Sequence, residues 1–182
     1  MTNASYHFLT QWRVIGELEM AADILGEPAD LPRWWPAVYL NVRVVEPGDA
    51  AGIGRVVELY TKGWLPYTLR WSFRVTESRH PHGFSLAAQG DFIGTGIWQL
   101  AQDSSAVVIS YDWRIEATKP LLRAFSPILR PVFAANHRWA MATGERSLQL
   151  ELYRRQATSD EERARIPPPP GPTWPSRRTA RE

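Results

Sequence analysis

The chain has no cysteine, which excludes disulfides, thiolate metal sites and cysteine nucleophiles together. It also lacks any run approaching the ~18 apolar residues of a membrane-spanning helix. Its first residues, MTNASYHFLTQWRVIG, have neither the basic start nor the continuous apolar stretch of a secretory signal. A cytoplasmic location is the expectation that follows. Charge of one sign is scarce too: 21 Lys and Arg against 19 Asp and Glu leave a net charge of +2. The arginines are spread along every segment instead of forming a stripe, so nucleic acid is not an expected partner. His7, His80, His82 and His137 are scattered, and His80-Pro81-His82 lies in a turn with no third ligand at metal-binding spacing. No phosphate-binding glycine loop, nucleotide fingerprint or nucleophile elbow occurs, and Gly94-Thr95-Gly96 is a lone hairpin motif. A protein without metal or cofactor is expected.

What is abundant is aromatic surface: nine Trp, six Tyr and six Phe in 182 residues. Each ring can bury a large apolar area, which suits a wide core or a cavity wall. The length suits one domain, because two independent cores would each be small and marginal.

Periodicity divides that domain. Tyr6, Phe8, Thr10, Trp12 and Val14 alternate with polar or outward positions as in a half-buried strand. Glu17 to Leu25 then carries Leu18, Ala21, Ala22 and Leu25 at helical spacing. Pro28, Pro32 and Pro36 allow Ala29 to Trp35 at most one further helical turn. From Tyr39 to Ala117 six strands are expected, separated by turn signals at Pro47-Gly48-Asp49, Gly63 to Pro66, His80 to Gly83, Asp91 to Gly94 and Asp103-Ser104. Their short connections predict an antiparallel meander. The fourth strand turns Tyr67, Leu69, Trp71, Phe73 and Val75 to the core, and the last turns Val107, Ile109, Tyr111, Trp113 and Ile115 inward. A helix is expected from about Val132 to Arg155, with Phe133, His137, Met141, Gly144, Leu148 and Leu152 on one face. Residues 1–155 are therefore read as the domain. Residues 156–182, rich in charge and then in proline from Pro167 onward, are read as a disordered tail.

Strand, short helices, six antiparallel strands and a long helix imply an α+β fold in which a strongly curved seven-stranded sheet wraps around the last helix. A gap can remain between them. Several motifs carry a resemblance to a known superfamily: Arg33-Trp34-Trp35-Pro36, Gly63-Trp64-Leu65-Pro66-Tyr67, Gly90 to Trp98, Tyr111-Asp112-Trp113, and Asn136-His137-Arg138-Trp139 with Met141 and Gly144. With them the chain, from Tyr6 to Leu152, resembles the START-like or SRPBCC superfamily of the major birch pollen allergen, and bacterial polyketide cyclase/dehydrase-like proteins within it. The resemblance implies the helix-grip fold. Because that superfamily includes lipid carriers, hormone receptors and cyclases, it implies no single reaction.

Two classes of function follow. One is binding of a small hydrophobic, polycyclic aromatic or lipid-like molecule in an internal cavity, with Tyr67, Trp71, Phe73, Trp98, Tyr111, Trp113, Phe133, His137 and Met141 as candidate wall residues. The other is a cofactor-free polyketide cyclase/dehydratase-like enzyme acting on an aromatic or poly-carbonyl substrate. There His137 would be the general base and Tyr111 or a cavity-facing arginine would polarise a carbonyl. Each candidate also has a purely structural reading: His137 as a core histidine bonded to a neighbour, and the rings as core fillers. Trp34, Trp35 and Trp64 are expected to plug one end of the sheet or to gate the pocket. Asp91 is expected as a turn residue and Asp112 as the outward partner of an arginine.

Overall fold

Alternation in the first strand sets how the sheet sits. In the computed structural model, which describes residues 5–118 and 126–173, β1 (Ser5–Ile15) buries Tyr6, Trp12 and Val14 and exposes His7, Leu9, Gln11 and Arg13. It pairs antiparallel with β7 (Ala106–Ala117) over its whole length, from Ser5 opposite Glu116 to Ile15 opposite Ala106. Between them in sequence run β2 (Tyr39–Glu46), β3 (Val56–Lys62), β4 (Thr68–Ser78), β5 (Gly83–Gly90) and β6 (Phe92–Asp103). The sheet order is β1-β7-β6-β5-β4-β3-β2, antiparallel throughout. The turn expected at Asp91 to Gly94 is tighter than the motif suggests. It lies at Gly90-Asp91, and Gly94 is already inside β6, opposite Ala88 and Ile115.

After β1 the chain crosses the end of the sheet through α1 (Leu18–Gly26), a 3₁₀ turn at Pro28–Asp30 and α2 (Leu31–Trp34). The helically spaced Leu18, Ala21, Ala22 and Leu25 of α1 are all buried. The long helix α3 (Ser126–Gln156) lies across the concave face. This is the helix-grip fold. The helix starts earlier than Val132, with Pro131 inside it. As the sixth residue of the helix it forfeits the bond its missing N–H would give to the carbonyl four residues back, and its ring crowds that carbonyl.

Side chains of α3 hold the free edge of β1, an edge that would otherwise present unpaired backbone groups. The Arg13 N–H donates to Glu145 at 2.8 Å and the Ile15 N–H to Gln149 Oε1 at 2.7 Å, while Gln149 Nε2 donates back to the Ile15 carbonyl at 3.0 Å. An ion-pair cluster fixes the short helices to the other end of α3. Arg33 donates both guanidinium arms to Glu151, at 2.9 and 2.8 Å, and reaches Asp30 at 2.9 Å, while Arg155 donates to Glu151 at 3.1 Å. Burial pushes the Glu151 carboxyl up, but the hydrogen bonds from Arg33 and Arg155 outweigh it and hold the group below its ordinary 4.5. The Arg33-Trp34-Trp35-Pro36 segment therefore packs inward: Trp34 and Trp35 are buried, while Trp64 stays substantially exposed.

Beyond α3, where composition predicts no ordered structure, the described residues include α4 (Asp160–Arg165), capped by Ser159, whose hydroxyl accepts the Glu162 N–H at 3.1 Å. None of the α4 residues is buried. Among the described residues no helix is long and apolar enough to cross a membrane.

Candidate functional site

Helix and sheet are in close contact along β1 and at the C-terminal half of α3, and space remains elsewhere between them. It takes the form of two adjoining chambers. The first, about 180 Å³, lies under the N-terminal half of α3 and is bounded by Phe8, Tyr67, Trp113, Phe133, Asn136 and His137 among others. The second, about 620 Å³, extends toward α1 and the β4–β5 hairpin and is walled by Leu25, Phe73, Leu86, Trp98 and Leu100. Trp35, Tyr39, Trp71, Tyr111 and Met141 line both chambers and form the partition between them.

The rings of the wall support one another. Trp98 stacks on Tyr111 with centroids 4.0 Å apart, Tyr111 on Trp113 at 5.5 Å, and Trp113 meets Trp71 at 5.8 Å. Alternation along β4, β6 and β7 puts them on one face, and the antiparallel register sets Trp98 opposite Tyr111. Gly96 makes the arrangement possible: a Cβ there would come within 2.8 Å of the Tyr111 hydroxyl and 2.9 Å of the Trp113 ring. On the helix side, a Cβ on Gly144 would overlap the Trp35 indole, so this glycine lets the ring lie flat against α3. The Trp71 indole N–H donates to Thr61 Oγ1 at 3.0 Å, which fixes that ring.

Polar groups gather in the first chamber. His137 stacks on Phe8 at 4.2 Å, with Nε2 3.4 Å from Thr10 Oγ1. Burial, and secondarily the charge of Arg138, push its pKa down to about 4, so the imidazole is neutral at physiological pH. Burial likewise raises the Tyr67 hydroxyl to about 12 and raises Tyr39 and Tyr111, with the neighbouring Tyr39 adding to the effect at Tyr111. These hydroxyls remain protonated and can donate. Asn136 Oδ1 accepts the Trp64 N–H at 2.9 Å and the Leu65 N–H at 3.3 Å, tying the β3–β4 loop to α3.

Of the residues expected at the cavity, Tyr67, Trp71, Tyr111, Trp113, Phe133, His137 and Met141 line the first chamber, whereas Phe73 and Trp98 border only the second. The structure adds Tyr39, Thr61, Lys62 and Asn136, which pattern reading did not select as site residues. Lys62 is only 6% exposed. Its position in β3 puts it in phase with the outward Glu58 and Tyr60, but the strand end is folded against the α2–β2 connection, where the Lys62 N–H donates to the Val38 carbonyl at 2.9 Å. Trp35, expected to plug or gate, is in the partition itself. Asp91 does serve the turn, its Oδ2 accepting the Arg70 N–H at 2.8 Å, and it also reaches the cavity wall. Asp112 faces outward and pairs with Arg114 at 3.0 Å and with His7 at 3.0 Å. No cluster of metal-ligating side chains occurs among the described residues.

No family model and no curated protein sequence matches the chain. Solved structures do. The Zhui aromatase/cyclase from Streptomyces sp. R1128 superposes with a TM-score of 0.67 at 15% identity, covering 86% of this chain and 98% of its own. A norcoclaurine synthase from Thalictrum flavum gives 0.60 at 12% identity over 86% and 99% of the two chains. A START superfamily protein from Mycobacterium smegmatis gives 0.55 at 12% over 75% and 98%. At such identities the likeness establishes the fold alone.

Proposed function

We propose that this chain, with its START-like, polyketide cyclase-like helix-grip fold, binds a small hydrophobic, aromatic or lipid-like molecule between sheet and α3. The observation that carries the reading is a cavity walled mainly by rings, in which His137, Tyr67 and Tyr111 are uncharged at neutral pH and Lys62 and Asp91 add two polar groups to the wall. Such a wall desolvates a flat or aliphatic ligand at little cost, and a few hydrogen-bonding groups then orient it.

The second reading is a cofactor-free cyclase/dehydratase-like enzyme acting on an aromatic or poly-carbonyl substrate. It is supported by the aromatase/cyclase and norcoclaurine synthase among the structural neighbours and by His137 and Tyr111 lining one chamber. Tyr111 is suited to donating a hydrogen bond to a carbonyl. His137 is a weaker candidate for the base, since a conjugate acid with pKa about 4 gives little driving force for taking a proton from carbon at neutral pH. Binding is therefore the leading reading.

A tryptophan-fluorescence titration with polycyclic phenols and fatty acids tests it, run on the wild type and on His137→Gln. Saturable binding that weakens by roughly 1–3 kcal/mol in the variant is expected if His137 hydrogen-bonds the ligand. Equal affinities would return His137 to a core role, and absence of saturable binding across the panel would sink the reading. Turnover of a carbonyl compound, lost in both His137→Gln and Tyr111→Phe, would establish the enzyme instead.

A further inference from the structure

Drug-sized ligands occupy sites of ~300–1,000 Å³. The first chamber, at about 180 Å³, falls short of that range, whereas the second, at about 620 Å³, falls within it. A ligand of that size which uses the hydrogen-bonding groups beside His137 must therefore extend past the partition.

The chambers differ in where their polarity lies. In the first, Thr61, Lys62, Asn136 and His137 belong to the inner wall, and Asp91 reaches it from the β5–β6 turn. In the second, the ionisable groups Asp23, Glu27, Arg55 and His80 come from α1 and its C-terminal end, the β2–β3 loop and the β4–β5 connection. They close a rim: His80 Nε2 is 2.8 Å from Asp23 Oδ1, and Arg55 donates to the Gly26 carbonyl at 2.9 Å. The surfaces inside that rim, Phe73, Leu86, Trp98 and Leu100, are apolar.

The partition has one adaptable member. Trp35 is set against Gly144, Trp71 is hydrogen-bonded to Thr61, Tyr111 is stacked on Trp98, and Tyr39 lies edge-on to Trp35 at 5.1 Å. Met141 is the only residue of the five that is not a ring, and an unbranched thioether can change rotamer and still pack.

We propose that the ligand is an elongated amphiphile. Its hydroxyl- or phenol-bearing end lies beside His137, and its apolar tail passes Met141 into the second chamber, which serves as a separate tail subsite. This rests on the binding reading above and deepens it.

The test is a series of 4-alkylphenols, from 4-ethylphenol to 4-decylphenol, titrated against the full chain by tryptophan fluorescence and calorimetry. In the wild type the affinity should rise about two- to four-fold per added methylene once the chain exceeds the first chamber. Leu86→Trp, which puts an indole into the second chamber, and Met141→Phe, which stiffens the partition, should each collapse the ratio of decyl to ethyl affinity by tenfold or more. Measurable binding of 4-ethylphenol by either variant shows that it is folded. An affinity independent of chain length, or a ratio unchanged in both variants, overturns the tail subsite while leaving the binding reading intact. Failure of the wild type to bind any member overturns both.

Discussion

The two halves of α3 meet the same sheet with opposite results. Toward the C-terminus Ser147, Leu148 and Leu152 have no exposed surface, Glu151 is almost fully buried, and Trp34 and Trp35 from the α2 region fill the space below. Toward the N-terminus Phe133, Asn136, His137 and Ala140 are only partly buried, and the first chamber lies against them. One half is tied down by packing and by the Arg33–Glu151 cluster. The other is positioned by the Asn136 contacts to the β3–β4 loop and by rings that touch at their edges, such as Tyr67 with Phe133 at 6.3 Å. Close packing and cavity lining are thus separated along a single helix, so the lining of the cavity can vary without removing what holds the fold.

The sharpest way to break that comparison is truncation on each half. Leu148→Ala should cost about 2–5 kcal/mol, since a fully buried leucine leaves a void its neighbours only partly fill. Phe133→Ala should cost clearly less, because its ring already borders open volume. Urea denaturation of both variants checks this, and equal losses would contradict the division.

Acid should separate the halves next. His137 has a folded pKa of about 4 against an ordinary 6.5, so between those values the unfolded chain binds the extra proton. Its contribution is complete above about pH 6.5 and declines as pH falls toward 4. The loss is on the order of 3 kcal/mol at most, reduced by the partial exposure of the ring. Glu151 acts with the same sign in a lower window. Its depressed pKa gives stability that is present above its ordinary 4.5 and is lost only as pH falls below that value. Melting curves from pH 7 to 3 should therefore flatten between 6.5 and 4 in His137→Gln and remain steep in that range in Glu151→Gln.

The smallest effect is expected at the ion-pair cluster. Arg33→Ala should cost about 1–2 kcal/mol, well below the ~3–5 for stripping a buried charge of its partner, because Arg33 is half exposed and Arg155 still bonds Glu151. A loss of Leu148→Ala size, read from the same denaturation curves, would mean that the cluster dominates the packing around it.

Much of this was legible beforehand. The inward rings of β4 and β7 follow from strict alternation, and Met141, Leu148 and Leu152 from helical spacing, because both periods are properties of the backbone alone. Other features were not legible. The closing helix was expected from about Val132, yet α3 already begins at Ser126 and carries Pro131 inside it. Lys62 reads as outward by phase and is buried because the strand end folds against Val38. Tyr39 and Asn136 lie where the facing of a side chain depends on how neighbouring segments are placed. Trp34 and Trp35, expected to plug one end of the sheet or to gate the pocket, are both buried, with Trp35 packed against Gly144 and the segment held by the Arg33 clamp.

The sequence by itself determined the antiparallel meander, the closing helix and the aromatic face, since each rests on short-range periodicity and turn chemistry. Only the tertiary structure decided that the space behind that face is divided in two, that Met141 and four rings form the partition, and that His137 is held neutral. Those outcomes depend on the curvature of the sheet and on contacts between residues more than one hundred positions apart, such as Thr10 with His137 and Trp35 with Gly144, which no local pattern encodes.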